Sequence, residues 1–363
     1  MRLRGLFRLL FLYDVAESID LGKLRVLLGE RGGSAEHAFP RRTPGYVRFE
    51  EAPIVEPAES LTVCPGVRAA CPVKYYGFGA IAVQVEMPFE SDWHSLVAQG
   101  SRWMDAPDVE PCIRDLVRRR LEGIHGAVNR PTDEWLQESY LVVEIHDALD
   151  DGGKRMPAEE LVASYGEELV QLVRGETAPL APRSIEEALQ SRLSYYPSDL
   201  VLVGPHGAVV YDAAEDAAAA TQILEYAKMQ LLEFRYYDGL MTRVLADFYT
   251  SLDRKRNALV SRWTLPREAQ RFNTIRLDVM DLTERIDNAI KFVSDIYYAR
   301  EYRLAAARMG VEDYRKLVDE KLQTFGELYD SMVDQYNETR SFILEVLVTI
   351  LAVLDVIFLF RGR

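Results

Sequence analysis

The sequence contains little cysteine and no excess of basic residues, and both absences exclude classes of protein. Its 363 residues include only three cysteines, Cys64, Cys71 and Cys112, which are too few for a disulfide framework and fit a reducing compartment. The 57 acidic residues outnumber the 43 lysines and arginines, which gives a net charge of -14. A general nucleic-acid-binding protein needs a basic surface that neutralises phosphates, so direct binding to nucleic acid is not expected.

The sequence also lacks the motifs of common catalytic and metal sites. Cys64 and Cys71 lack the short spacing and the nearby histidine pair of a zinc site. The segment 203–207 contains glycines, but it has neither the lysine nor the following helix of a phosphate-binding loop. We therefore expect no enzyme activity, no catalytic residues, no metal and no cofactor. An enzyme is the less favoured alternative, and its candidate residues would be His94, His146, Glu144 and Asp147.

Strand-like and helix-like patterns are mixed in the first 213 residues. Alternating apolar residues predict half-buried strands at 80–87 and 140–145, and two apolar runs around a Gly-Pro-His-Gly turn predict a hairpin at 199–211. Helices are predicted at 91–102, 109–124, 158–173 and 185–193. These elements predict an α+β head domain over residues 1–213.

Residues 214–341 have the pattern of a coiled coil, because apolar residues recur there at alternating steps of three and four. The predicted core positions are Leu231, Phe234, Asp238, Leu282, Ile286, Phe325, Tyr329 and Met332. Asp238 is a carboxylate that either specifies helix pairing or lies at the edge of the apolar seam. Three such seams predict a long antiparallel α-helical coiled coil that follows the head domain.

Residues 342–360 form an apolar run that is long enough to cross a bilayer as a helix. The apolar spacing of the last coiled-coil helix continues into this run, so we expect one C-terminal transmembrane helix continuous with that helix. A buried core helix is the alternative. Glu345 and Asp355 interrupt the run, and because carboxylates are costly in lipid, an oligomer that hides them is expected.

Three stretches of the chain resemble the YagE-like "required for meiotic nuclear division" family. They are Leu12-Tyr-Asp-Val-Ala-Glu-Ser-Ile-Asp-Leu-Gly-Lys-Leu, Lys74-Tyr-Tyr-Gly-Phe-Gly-Ala-Ile-Ala-Val, and a tail with Tyr336-Asn337, Leu344-Glu345 and Asp355. The resemblance implies a membrane-anchored oligomer without enzyme activity, with Asn337, Glu345 and Asp355 at the membrane or oligomer interface. Its mitochondrial members are associated with organelle translation. This sequence begins without a mitochondrial presequence, which favours a bacterial inner membrane.

The function expected from these features is that of a non-enzymatic, tail-anchored membrane scaffold or tether. It would oligomerise, and its cytoplasmic α/β head would bind a protein partner, with a link to translation implied by the resemblance. The expected partners are further copies of the chain, membrane lipid and an unknown cytoplasmic protein. The alternative is an oligomeric ion channel or transporter-like assembly whose plan looks like that of CorA-type magnesium channels. Those channels have two spans and a Gly-Met-Asn motif, which this sequence lacks.

Overall fold

A nine-stranded mixed sheet organises the first part of the chain. The structure is a computed structural model that describes residues 1–29, 32–34, 53–64, 67–104, 106–149, 152–254 and 296–328, together with 274, 277, 330, 348 and 351. The chain divides into two compact units. The first consists of Met1–Tyr236 and Asp281–Tyr314, and the second of Tyr237–Met280 and Arg315–Arg363.

The two longest strands lie at the centre of the sheet, whose order is β2-β3-β4-β5-β1-β6-β9-β8-β7. The strands are β1 (Arg2–Ile19), β2 (Gly33–Ser34), β3 (Ile54–Cys64), β4 (Val67–Tyr75), β5 (Ala80–Ser91), β6 (Val128–Leu149), β7 (Arg192–Leu193), β8 (Leu200–Val203) and β9 (Gly207–Tyr211). Neighbouring strands are antiparallel, with the exception of β6 and β9, which run parallel.

Successive residues of β1 contact different layers of the molecule. Phe7, Phe11 and Tyr13 point to one side of the sheet, which we call face A, and belong to the main hydrophobic core. Arg8 and Leu12 point to the opposite side, which we call face B. Because both faces are covered, the strand is almost continuously buried, and its apolar run does not alternate with exposed polar residues.

Five described helices lie on the face A side, and the last of them packs on the fourth. They are α1 (Leu21–Leu28), α2 (Trp93–Met104), α3 (Val109–Gly123), α4 (Ala158–Arg174) and α5 (Pro182–Leu189). Their apolar stripes include Leu96, Ile113, Leu161 and Val170, which are fully buried in the same core as Phe7. A short 3-10 helix at His125–Ala127 leads from α3 into β6.

Helix α6 spans Ala214–Arg254, and its part up to Tyr236 covers face B, while α7 (Ile296–Met309) packs against β8. Met229 and Leu232 of α6 join a small apolar cluster with Leu12 of β1 and Ala80 and Ala82 of β5. Residues 311–328 form a further helical segment. Each unit is thus helical in part, but the first unit is built around the sheet.

The predicted fold class, an antiparallel coiled coil that ends in a transmembrane helix, was wrong. The start of the predicted coiled coil is the part of α6 that packs on the sheet, α7 has only 14 residues, and the described residues contain no long coiled coil. Heptad spacing indicates that a helix has a buried stripe, but it does not identify the element that covers the stripe. Here that element is a strand surface.

The predicted tail-anchored membrane protein is corrected as well. Among the helices that can be followed in the described residues, none combines the length and the apolar character needed to cross a membrane. The predicted span 342–360 lies outside the described residues, apart from Val348 and Leu351, which are exposed positions of a helix.

Candidate functional site

One edge of β6 is open over the residues that precede its pairing with β9. On one side β6 pairs with β1 from Val128 to Leu149. On the other side its pairing with β9 covers Leu141–Ile145 alone. Within the described ranges, no strand lies beside residues 128–140 on that second side. This stretch of β6 therefore has the backbone donors and acceptors of an edge strand, although it lies in the middle of a large sheet.

Gln137 and Ser139 of this open edge point their backbone N–H and C=O groups away from β1. The amide of Leu141 donates a hydrogen bond to the carbonyl of His206 at 3.2 Å, on the β9 side. Because the direction of backbone groups alternates along a strand, the amides and carbonyls of Gln137 and Ser139 point to the same side as those of Leu141. They line the position that β9 would occupy if it began two or four residues earlier.

A large bulge limits the regular part of this edge. Asp14 of β1 is paired with Leu136, whereas Ala16 is paired with Pro131, so five residues of β6 correspond to two of β1. Bulges of this kind bend and twist a strand. The regular open edge is therefore the short segment 136–140, which ends where β9 begins. We call this segment the β6 edge.

A cavity of about 480 Å³ lies on face A beside the β6 edge. Its volume falls in the range of sites that bind small molecules or single side chains in proteins. Helix α2 ends and α3 begins at its wall, and β1 and β6 form its floor. The lining residues are Leu9, Leu10, Phe11, Trp103, Met104, Ala106, Pro107, Glu110, Gln137, Ser139, Tyr140, Leu141, Arg174 and His206.

Two glycines allow Met104 to form part of the cavity wall. A Cβ atom on Gly175 would lie 2.5 Å from the Met104 sulfur, and one on Gly207 would lie 2.7 Å from its methyl carbon. Gly175 also ends α4 with a φ of +73°, a conformation that favours glycine. Larger residues at these two positions would push Met104 towards the cavity or disturb the start of β9.

The acidic side chain of the cavity is neutralised within the protein. Glu110 accepts a hydrogen bond from the Arg114 guanidinium at 2.7 Å. Arg114 also donates to the amide oxygen of Gln137 at 3.1 Å and lies over the ring of Trp135. Arg114 therefore connects α3 to β6, and Glu110 contributes little net charge to the cavity.

The basic side chains of the cavity have no such compensation. Arg174 donates to the Ser184 hydroxyl at 2.8 Å and to the Ser184 carbonyl at 3.5 Å, but no carboxylate of the described residues contacts it. His206 is exposed in the turn between β8 and β9. Arg174 therefore gives the cavity a positive group near β9, in a chain whose net charge is -14.

A second polar region lies on face B, between the sheet and α6. The fully buried Glu144 of β6 accepts hydrogen bonds from Arg8 at 2.6 Å, from the Thr221 hydroxyl at 2.6 Å and from His146 at 3.2 Å. Burial alone would raise the pKa of this carboxyl, but the His146 hydrogen bond and the charge of Arg8 lower it below its usual value. Arg8 also contacts Glu86, so one guanidinium connects three strands.

Glu225 of α6 has a similar environment. Its buried carboxylate accepts from the Lys74 ammonium at 2.5 Å, from the Tyr76 hydroxyl at 2.9 Å and from the Gln84 amide at 2.6 Å. These donors lie on β4, in the turn that follows it and on β5, so Glu225 connects the helix to two strands. A buried carboxylate with this many donors is a structural ion-pair site.

Further along α6, Lys228 contacts Glu138 of β6 at 2.7 Å, and Arg235 contacts the same carboxylate. Burial lowers the pKa of Lys228 to about 8. Asp14 of β1 and Glu233 of α6 form a buried pair of acids. Burial raises the pKa of Asp14 to about 7, and burial together with the charge of Asp14 raises the pKa of Glu233 well above its usual value.

Only some of the residues predicted as sites can be placed. Leu231, Phe234 and Phe325 are buried, and Asp238 contacts Lys321 at 2.5 Å within the second unit. Their predicted roles stay predictions. The other predicted positions lie outside the described residues: Leu282, Ile286, Tyr329, Met332, Asn337, Glu345 and Asp355.

The candidate residues of the enzyme alternative are only partly brought together. His146 contacts Glu144, whereas His94 is an exposed residue in the first turn of α2, on the face A side. Cys71 is buried, and its burial raises the pKa of the thiol to about 11. Among the described residues, no three histidine, cysteine, aspartate or glutamate side chains are grouped so that they could hold a metal ion.

The residues of the cavity were not predicted as a site from the sequence. Their alternation in the segment 137–141 resembles any half-buried strand, and His206 lies in the Gly-Pro-His-Gly turn, where a histidine is ordinary. The missing signal is the point at which β9 begins to pair with β6. It depends on which strands become neighbours, and a single sequence does not contain that information.

Comparison with known proteins identifies a family and a relative. The relative is "Uncharacterized protein MJ0711" of Methanocaldococcus jannaschii, which is 22% identical over 189 residues. These residues make up 52% of this chain and 58% of that protein, so the chain spans less than two thirds of its relative's length. No solved structure matches the chain significantly. Residues 4–217 match the family described as "Uncharacterized protein MJ0711, N-terminal domain", and the chain therefore belongs to this family.

Proposed function

We propose that this chain is a non-enzymatic scaffold whose sheet unit binds an extended segment of a partner protein. The partner segment adds to the β6 edge as a further strand, in line with β9. Backbone hydrogen bonds to Gln137 and Ser139 provide affinity, and the cavity receives one side chain of the segment. Strand addition to an exposed edge, with pockets for alternate side chains, is an established mode of peptide recognition.

One observation carries this proposal: the open β6 edge lies directly beside a cavity of about 480 Å³. An unpaired, exposed edge strand promotes aggregation, so proteins usually shorten, charge or cover such edges. This edge is short, and its neighbouring surface is concave. The polar contacts on face B, by contrast, are used within the protein, since Glu144 and Glu225 each accept several internal hydrogen bonds.

Hydrogen exchange of the purified full chain tests the proposal. The chain is first used to select binders from a library of random heptapeptides. In the free protein the amides of Gln137 and Ser139 should exchange rapidly, whereas that of Val143, between two strands, should be protected. A selected peptide should slow exchange at Gln137 and Ser139. Binding that leaves both amides unprotected would contradict strand addition.

A pair of variants at one position isolates the backbone contact. Ser139→Pro removes the amide that points to the open edge, and proline is tolerated where an edge amide faces away from the sheet. Ser139→Ala removes only the hydroxyl. We expect the proline variant to bind selected peptides at least about tenfold more weakly, and the alanine variant to bind them as the parent chain does. Unchanged thermal unfolding would show that both variants are folded.

A further inference from the structure

We infer that the segment bound at the β6 edge is the C-terminus of the partner, with its free carboxylate at Arg174 and His206 and its last side chain in the cavity. This inference rests on the proposed function and makes its partner more specific. It follows from three features of the site: the direction of the open edge, the charge at its end and the apolar side chains in part of the cavity lining.

The direction follows from the position of β9. The open edge runs along β6 towards Leu141, where the turn at 204–207 brings the chain into the sheet as β9. An added strand beside Gln137 and Ser139 would therefore be stopped by this turn. If the strand runs parallel to β6, as β9 does, its C-terminus is the end that meets the turn. The last residue then lies opposite Ser139, about 7 Å before the start of β9.

The charge at this end of the site favours a carboxylate. Arg174 and His206 line the cavity there, and Arg174 has only the hydroxyl and carbonyl of Ser184 as partners among the residues described. Glu110, the acidic group of the cavity, is already paired with Arg114. A guanidinium binds a carboxylate by charge-assisted hydrogen bonds that are stronger than neutral ones. Internal segments of a partner would leave this positive end unused.

The interior of the cavity favours an apolar last side chain. Neighbouring residues of adjacent strands point to the same face, so a residue opposite Ser139 places its side chain on face A. There it would meet Leu9, Phe11 and Trp103, which are at most 9% exposed. Leucine, methionine or phenylalanine would occupy the part of the cavity beside these residues and remove apolar surface from water. The predicted ligand is thus an extended C-terminal peptide with an apolar last residue.

Two peptide libraries test the inference on the full chain. In one, random heptapeptides are displayed with a free C-terminus; in the other, the same heptapeptides are followed by a fixed Gly-Ser extension. We expect selection of peptides from the first library, with leucine, methionine or phenylalanine as the last residue. The strongest binder is then synthesised as the free acid and as the C-terminal amide. The acid should bind at least about tenfold more tightly by fluorescence anisotropy.

Three variants assign the contact. Arg174→Gln should weaken binding of the free acid about tenfold or more and leave the weak binding of the amide unchanged. Ser184→Ala removes the internal partner of Arg174 but keeps its charge, so it should not weaken acid binding. Arg183→Gln removes an exposed neighbouring charge and should also have little effect. Weakening by Ser184→Ala equal to that by Arg174→Gln would indicate a merely structural role of the arginine.

The outcomes separate the two proposals. If the extended library and the amide bind as well as their free-acid counterparts, carboxylate binding is wrong but strand addition stands. If neither library gives a binder that protects Gln137 and Ser139 from exchange, the proposed function is wrong as well.

Discussion

Glu225 illustrates how a charged residue becomes part of the protein interior. Its carboxylate is fully buried, yet Lys74, Tyr76 and Gln84 each donate a hydrogen bond to it. Burying two opposite charges gives little net stability, because desolvation offsets their attraction. Removing one partner is strongly destabilising, because the other charge then remains buried without a counter-charge or water.

Glu225→Gln should therefore destabilise the protein strongly. The variant leaves the Lys74 ammonium, which is 12% exposed, without its counter-charge. We expect the free energy of unfolding to fall by about 3 kcal/mol in urea titrations followed by circular dichroism. Glu215→Gln, at an exposed position near the start of the same helix, is the matched control and should change it by less than about 0.5 kcal/mol. Equal effects of both changes would show that the ion pair contributes nothing.

The buried acids Asp14 and Glu233 should make stability depend on pH. Their raised pKa values mean that the folded protein binds more protons than the unfolded chain between about pH 4 and pH 7. Stability contributed by these groups is therefore lost as the pH rises through this window. Glu233→Gln removes one acid and its repulsion, so it should be more stable than the parent chain at pH 8 and similar to it at pH 5.

Urea titrations at pH 5 and pH 8 measure this difference. Glu215→Gln, which removes an exposed carboxylate, should show the pH dependence of the parent chain. A Glu233→Gln variant with the same pH dependence as the parent would mean that the two acids do not interact in the folded protein.

At the scale of elements, the spacing of contact residues along α6 matches the spacing along β1. Two residues of a strand span about 6.6 Å and four residues of a helix span about 6 Å. Arg8 and Thr221 both donate to Glu144, Leu12 and Met229 belong to one apolar cluster, and the charge of Asp14 raises the pKa of Glu233. The contacts therefore advance by pairs of residues along the strand and by fours along the helix. This register places each polar group of α6 over its partner.

One alanine inserted after Ile223 should destroy this register. The insertion rotates all later residues of α6 by about 100° relative to Thr221, so Glu225 and Lys228 would lose their partners on the sheet. We expect Tm to fall by more than about 10 °C. An alanine inserted after Gly153, in an exposed loop, should shift Tm by less than about 2 °C. Tolerance of the helix insertion would argue against a fixed register.

Several elements were predictable because their patterns are local. The predicted helix at 109–124 closely matches α3 at Val109–Gly123, and the predicted hairpin at 199–211 contains β8 and β9. The partner of α6 was not predictable in this way. Thr221, Glu225 and Lys228 have the chemistry of a solvent-exposed helix face, and only their partners on distant strands make their burial favourable. Heptad spacing without those partners indicated a coiled coil.

At the scale of the whole molecule, the family match ends in the first turn of α6, before the residues of that helix that pack on the sheet. It covers residues 4–217, whereas the helix that covers face B begins at Ala214. Arg8, Lys74 and Glu144 lie before residue 217, but Thr221 and Glu225 lie beyond it. The resemblance to the YagE-like family stays a prediction, as do the homo-oligomer and the link to translation.

A chain shortened to residues 1–217 should therefore not fold cooperatively. It would expose Leu12, Ala80 and Ala82 and leave Lys74 without its carboxylate. We expect it to aggregate or to bind a hydrophobic dye, and to lack the sharp thermal transition of the full chain. Adding a peptide of residues 214–236 should restore part of the transition. Cooperative unfolding of residues 1–217 alone would show that α6 is dispensable.

The candidate site could not be predicted from the sequence, and neither could the partner of α6. Both depend on which distant elements become neighbours. Arg174 at the end of a helix and His206 in a turn are ordinary residues in their local contexts. Their proximity to Ser139 arises because β9 lies beside β6 for only five residues. The proposed peptide binding depends on where pairing stops, and that is a property of the whole sheet.

The bulge between Pro131 and Leu136 has a consequence for selectivity. It restricts the straight part of the open edge to residues 136–140, a length of about 17 Å. A long strand, such as the edge of another sheet, cannot lie flat along it, because the turn before β9 blocks one end and the bulge diverts the other. The two obstacles limit the length of strand that can pair with this edge. We therefore expect it to bind short chain ends and not the extended strand edges on which aggregates grow.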